Sequence, residues 1–102
     1  MSTFQILNDG VGLVVIGDLD MATAPDLARA LADRGPELNV DMSQCSFMDS
    51  SGISVVVEAK SGAVPGLAIV RPSDAVRRVL TLCGLAALLI AESAAVDLTS
   101  AQ

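Results

Sequence analysis

The spacing of apolar residues changes at Asp49, and this change constrains the fold more than any other feature of the chain. Apolar and polar residues alternate from Leu38 to Met42, which is the pattern of a strand with one buried face. From Ile53 to Val57 the apolar residues instead return at helical spacing. The segment around Asp49 therefore connects the end of a strand to the beginning of a helix.

Similar changes of pattern recur along the whole chain. An Asp-Gly pair at residues 9–10 separates two short apolar segments, which is typical of a β-hairpin. The pattern predicts strands over 4–7, 13–16, 38–42, 67–70 and 88–90, helices over 24–31, 52–60 and 74–83, and a helical turn over 94–99. We therefore expect one domain over 1–102 with an α/β fold. Its mixed, mostly parallel sheet has about five strands and an antiparallel N-terminal hairpin, flanked by three to four helices.

Composition and charge exclude several classes of partner. The net charge is −6, with 6 basic against 12 acidic residues, so the chain lacks the clustered Lys and Arg that contact nucleic acid. The apolar run Leu82–Ala91 is too short to cross a bilayer, so direct membrane insertion is not expected. We expect a cytoplasmic protein, because Cys45 and Cys83 lack CxxC spacing and no signal-like segment begins the chain. The expected oligomeric state is a monomer or a weak dimer. Both cysteines are predicted to be small apolar core residues, with a redox switch as the alternative.

The absence of histidine removes the commonest general base and zinc ligand. No Ser-His-Asp arrangement, Gly-Lys-Ser phosphate loop or structural zinc site can be built, so we expect no catalytic residues, metal or cofactor. One enzyme alternative stays open. Asp18 and Asp20 follow a strand and Asp49 precedes a helix, and such ends meet at one edge of an α/β sheet, where they could hold magnesium.

The segment Asp49-Ser50-Ser51-Gly52 places two hydroxyls at a helix N-terminus. The first N–H groups of a helix lack intrahelical partners and carry partial positive charge, which favours a phosphate. Plain helix capping explains the same residues without any function. Thr23 and Ser73 are predicted to cap the first and third helices in the same way.

Further segments surround this one in a characteristic order. They are Gly17-Asp18-Leu19-Asp20, Ala22-Thr23-Ala24-Pro25, Val40-Asp41-Met42-Ser43, Arg71-Pro72-Ser73, Val76-Arg77-Arg78-Val79-Leu80 and Cys83-Gly84-Leu85. Together, over nearly the whole length, they resemble the STAS family, and specifically the single-domain anti-sigma factor antagonists of bacteria.

The resemblance implies a phosphorylation switch. The second serine of the motif, which is Ser51 here, would be phosphorylated by an anti-sigma factor that is a serine kinase, with Ser50 as the other candidate. The unmodified protein would bind that kinase and free the sigma factor, the phosphorylated form would release it, and a serine phosphatase would reset the cycle. The implied partner-binding residues are Asp18, Asp20, Asp49, Ser50, Ser51 and Gly52. We expect Asp49 to cap the helix or orient the serine, and Ser50 to use its hydroxyl in capping.

The chain departs from the family pattern at Ser61–Gly66, where the connection between the second helix and the next strand is short. STAS domains also occur in other assemblies. The alternative function is a non-phosphorylated STAS subunit of a membrane transport, lipid-trafficking or stress-signalling scaffold complex. A magnesium- or nucleotide-dependent enzyme is the third candidate.

Overall fold

The computed structural model describes residues 4–10, 12–32 and 34–89. Strands and helices alternate along the chain, as the apolar pattern predicts. The elements are β1 (Gln5–Asn8), β2 (Gly12–Leu19), α1 (Ala24–Ala32), β3 (Glu37–Met48), α2 (Ser50–Ser61), β4 (Gly66–Val70), α3 (Asp74–Leu82) and a 3-10 helix (Ala86–Leu88).

The sheet has the order β1-β2-β3-β4. β1 pairs antiparallel with β2, and the other neighbours pair in parallel, which confirms the expected α/β architecture and its N-terminal hairpin. The connections β2-α1-β3 and β3-α2-β4 both move one strand along the sheet in the same direction. Because such connections are right-handed, α1 and α2 lie on one face of the sheet, where they pack together. The core on this face includes Leu13, Val40 and Ile69, which lie side by side on the three parallel strands.

The prediction of a fifth strand over 88–90 is wrong for residues 88 and 89, which the structure describes. Leu88 belongs to the 3-10 helix, and Leu89 follows it with its N–H donating to Ala86 O at 2.9 Å. Both leucines are buried, and a short apolar run has the same appearance in a buried turn as in a buried strand. Ile90 and the turn predicted over 94–99 lie outside the described residues.

Strand β3 runs six residues beyond the predicted end at Met42. It does so through two irregularities in its pairing with β2, each of which adds one extra residue on β3. Beyond Met42 the buried positions are therefore Cys45 and Met48, every third residue rather than every second. This loss of alternation is the reason that the sequence pattern underestimates the strand.

The ends of α3 follow the sequence prediction. Ser73 caps the helix by accepting the Val76 N–H at 3.2 Å, and its hydroxyl donates to Cys45 O at 2.6 Å, which attaches the helix to β3. Gly84 has φ +74, the left-handed conformation expected after a helix C-terminus. The N–H of Leu85 closes the motif by donating to Leu80 O at 2.8 Å.

Lys60 stabilises the short connection after α2. Its ammonium group donates to Pro65 O at 2.9 Å and to Leu67 O at 3.1 Å, so one side chain links the helix, the loop and the start of β4. Val64, a residue of this loop, is fully buried. The shortened connection is thus a packed structure with its own hydrogen bonds.

The two cysteines have different environments. Cys45 is buried, as predicted, and burial raises the pKa of its thiol, which donates to Phe47 O at 3.3 Å. The prediction that Cys83 is a core residue is wrong, because Cys83 is exposed at the end of α3. Among the helices of the described residues, none has the length and apolar character needed to cross a bilayer.

Candidate functional site

The candidate site lies where the carboxyl ends of β2 and β3 meet the first turn of α2. Leu19 and Met48 are paired at the ends of the two strands. The N–H of Asp49 then donates to Leu19 O at 3.1 Å, and this bond joins the connection into α2 to the end of β2. Parallel pairing therefore brings Asp18 and Asp20 to the same edge of the sheet as Asp49, Ser50 and Ser51.

Asp49 is the N-cap of α2, as expected. One carboxylate oxygen accepts the N–H of Ser51 at 2.9 Å and the N–H of Gly52 at 3.3 Å. The main-chain oxygen of Asp49 accepts the Ile53 N–H at 3.0 Å. The side chain thus satisfies two of the donors that a helix leaves unpaired at its start.

We expect Asp49→Ala to lower the free energy of unfolding by about 1 kcal/mol, because both capped N–H groups lose their acceptor. Asp49→Asn is the matched control, since an amide oxygen caps nearly as well and keeps the size of the side chain. Urea unfolding of both variants measures the difference. Equal loss in the two variants would show that the charge, rather than the cap, stabilises this end of α2.

The two serines differ in exposure. Ser50 is exposed and Ser51 is half-buried. The prediction that Ser50 caps the helix is wrong, because Asp49 fills that role. Within the described residues every buried side-chain nitrogen and oxygen has a hydrogen-bond partner, whereas Ser51 Oγ has none, so this oxygen reaches solvent.

The cap decides where a phosphate on Ser51 would direct its charge. The N–H groups of Ser51 and Gly52 already bond to the Asp49 carboxylate, so they are not free to bind a phosphate. A phosphoserine adds about −1.5 to −2 charges near neutral pH, here next to a carboxylate. Its charge would therefore be presented outward to any docked surface.

Asp20 and Thr23 shape the loop between β2 and α1. Asp20 Oδ1 accepts the N–H groups of Ala22 and Thr23, at 3.0 and 3.1 Å. Contrary to the prediction, the Thr23 hydroxyl does not cap α1. It accepts the Asp20 N–H at 2.9 Å and donates to Asp18 O at 2.8 Å, which folds the loop back onto β2. Asp20 therefore has a structural role, whereas the exposed Asp18 carboxylate accepts the Ser46 hydroxyl at 3.1 Å and no other donor of the described residues.

Gly52 permits α2 to begin close to β2. A Cβ at this position would lie 2.7 Å from Leu19 Cγ, 2.8 Å from Leu19 Cδ2 and 3.2 Å from Leu19 O. Leu19 is fully buried and cannot move aside freely. The glycine of the serine motif is thus required by packing, a role that the sequence pattern does not reveal.

The site brings together all six residues singled out in the sequence, but not as a metal centre. Within the described residues no three Asp, Glu, Cys or His side chains are grouped so that they could hold a metal ion. Two neighbours of the site, Met21 and Phe47, have exposed side chains that the sequence pattern did not predict. For Phe47, the loss of apolar–polar alternation after Met42 was a sequence signal that the strand pairing is irregular there.

Fold and site together define a small α/β domain with an accessible serine in the first turn of a capped helix. The chain belongs to the STAS domain family, because a family model described as "Mlab, STAS domain" matches residues 2–91.

Solved structures support this assignment. An anti-sigma factor antagonist from Mycobacterium paratuberculosis is 30% identical, with a TM-score of 0.66 over 84% of this chain and 80% of that one. The unphosphorylated form of the anti-sigma factor antagonist SpoIIAA has a TM-score of 0.64 at 21% identity, over 98% of both chains. The phosphorylated form of the Bacillus cell fate determinant SpoIIAA has a TM-score of 0.57 at 20% identity, over 84% of this chain and 87% of that one. A search of curated protein sequences found no match.

Proposed function

We propose that this chain is a cytoplasmic anti-sigma factor antagonist that acts by binding rather than by catalysis. Its unmodified form binds an anti-sigma factor that is also a serine kinase, and this binding frees a sigma factor. Phosphorylation of Ser51 ends the interaction, and a serine phosphatase restores it. The observation that carries this proposal is the solvent-accessible hydroxyl of Ser51, a residue in the first turn of α2 whose N–H bonds to the Asp49 carboxylate.

The comparisons support the proposal at the level of protein class. The relative that is 30% identical is an anti-sigma factor antagonist, and SpoIIAA, also an antagonist, has been solved in both phosphorylated and unphosphorylated forms. The charge distribution is compatible with this role. A chain with net charge −6 is suited to a partner that presents basic groups, and additional negative charge at the contact gives a direct way to change the affinity.

A phosphorylation assay tests the proposal. The purified protein is incubated with ATP, magnesium and each anti-sigma serine kinase encoded in the same genome, and its intact mass is then measured. Ser50→Ala and Ser51→Ala form a matched pair, because both remove one hydroxyl from adjacent positions. We expect the unmodified protein and Ser50→Ala to gain one phosphate with the cognate kinase, and Ser51→Ala to gain none.

The greater exposure of Ser50 makes this pair necessary. If Ser50→Ala abolishes the phosphate and Ser51→Ala does not, the assignment to Ser51 is wrong. If no kinase modifies or binds the protein, the antagonist function itself is wrong.

A second candidate function is a non-phosphorylated STAS subunit of a membrane transport, lipid-trafficking or scaffold complex. The specific observation that favours it is the description of the matching family model, which names an Mlab STAS domain rather than an antagonist. Genes for permease and lipid-binding subunits beside this gene, together with stable association with those subunits without ATP, would support this function.

A further inference from the structure

Exposed apolar side chains occur at the same edge of the sheet as the two serines. Among the described residues the large hydrophobic side chains that are exposed are Leu7, Met21, Phe47 and Leu82. Phe47 is the strand partner of Asp18, and Met21 follows the last residue of β2 by two positions. Two of the four therefore lie where β2 and β3 end, next to the first turn of α2.

The fold itself turns Phe47 outward. If the pairing of Gly17 with Cys45 continued regularly, Phe47 would oppose Leu19, which faces the core. The irregularity after Gly17 adds Ser46 as an extra residue, so that Phe47 instead opposes the exposed Asp18. Phe47 is one of only two aromatic residues in the chain, and the residue is 48% exposed.

The loop before α1 presents Met21 in a comparable way. The hydrogen bonds between Asp20 and Thr23 hold the turn closed on both sides of Met21. Thr23 is buried, whereas the Met21 side chain is 77% exposed. A turn fixed by partly buried hydrogen bonds thus carries a flexible apolar side chain outward. Methionine and aromatic residues are both enriched at protein interfaces.

The charges around these two side chains indicate the chemistry of the partner. Within the part of the chain that the structure describes, no Lys or Arg pairs with Asp18, Asp20 or Asp49. The ion pairs of the described residues, Arg29–Asp26 and Arg71–Asp41, do not involve these three carboxylates. The edge therefore combines two exposed apolar side chains with carboxylates that have no ion-pair partner among the described residues.

We propose that Met21 and Phe47, here called the Met21–Phe47 patch, form the apolar centre of the partner-binding surface. The occupant is a protein surface with an apolar area surrounded by Lys or Arg side chains. This inference rests on the proposed function and identifies the part of the surface that supplies affinity. Phosphorylation of Ser51 then weakens binding by adding negative charge next to this apolar contact, and it does not alter the two apolar side chains.

The test uses two pairs of variants matched for exposure, and the second pair is also matched for secondary structure. Met21→Gln is compared with Leu82→Gln, whose side chains are 77% and 79% exposed, and Phe47→Thr with Leu7→Thr, both on strands and both 48% exposed. Dissociation constants are measured against the anti-sigma kinase that binds the unmodified protein. We expect each patch variant to bind at least about tenfold more weakly, the double variant about a hundredfold, and the controls within about twofold.

Thermal unfolding checks that each variant keeps its fold, and Met21→Gln carries the test if Phe47→Thr fails to fold. Asp18→Asn provides an independent measurement, because removing a rim charge should slow association and reduce its dependence on salt. The inference is wrong if the patch variants bind the kinase as tightly as their controls do, in an assay where the unmodified protein binds the kinase and Ser51→Glu weakens that binding. If no kinase binds the unmodified protein, the proposed function fails first, and this inference fails with it.

Discussion

Ser51→Ala is expected to bind the anti-sigma factor as tightly as the unmodified protein, whereas protein phosphorylated on Ser51 binds about a hundredfold more weakly. A phosphate adds −1.5 to −2 charges to a contact that already contains the Asp49 carboxylate. One unit-charge pair at about 4 Å is worth roughly 1 kcal/mol in water and about 4 kcal/mol at an effective dielectric of 20. Since about 1.4 kcal/mol changes affinity tenfold, the phosphate can release the partner without refolding the domain.

Titration calorimetry with the cognate kinase measures this effect. Ser51→Glu should lower the affinity by about tenfold, because it adds one charge rather than nearly two. Ser61→Glu is the control, since it makes the same change in net charge at an exposed position at the other end of α2. It should bind within about twofold of the unmodified protein. Equal affinities for Ser51→Ala, Ser51→Glu and the phosphorylated protein would contradict the switch.

Gly52→Ala is expected to lower the free energy of unfolding by about 2 kcal/mol. Its new methyl group would lie 2.7 Å from Leu19 Cγ and 3.2 Å from Leu19 O, so either the buried leucine or the first turn of α2 has to move. Alanine ordinarily favours a helix over glycine by up to about 1 kcal/mol, and the steric cost outweighs that gain. The midpoint of thermal unfolding should fall by roughly 10 °C.

A double-mutant cycle identifies the cause. Leu19→Ala removes the two side-chain atoms that a methyl group at position 52 would meet most closely, so the double variant should be less destabilised than the sum of the two single changes by at least about 1 kcal/mol. Gly62→Ala is the control, because a Cβ there meets only Glu58 O at 3.4 Å. Additive losses in the cycle would show that the packing against Leu19 does not explain the glycine.

Local sequence patterns predicted the elements whose structure depends on neighbouring residues. The Asp9-Gly10 pair forms the hairpin turn, where Gly10 has φ +87 and the Asp9 carboxylate accepts the Gly12 N–H at 2.8 Å. Ser73 and Gly84 mark the two ends of α3, as capping chemistry requires. These features were predictable because their hydrogen bonds span only a few residues.

Other features depend on contacts between distant parts of the chain. Thr23 was expected to cap α1, but its hydroxyl instead bonds to the loop that precedes it. Lys60 reaches the loop and β4 through hydrogen bonds that no local pattern signals. Leu88 and Leu89 are apolar, like the residues of a buried strand. The turn after α3 nevertheless places them in the core without strand pairing.

The sequence by itself determined the α/β class and the position of the serine motif at the start of α2, because periodicity and the change from a strand pattern to a helix pattern are local properties. Only the tertiary structure decided that Gly52 must lack a side chain, that Ser51 Oγ reaches solvent and that Phe47 faces outward. Each of these depends on the pairing of β3 with β2. The register of two strands and the packing of a helix against their ends are set by the whole core, not by the residues next to the site.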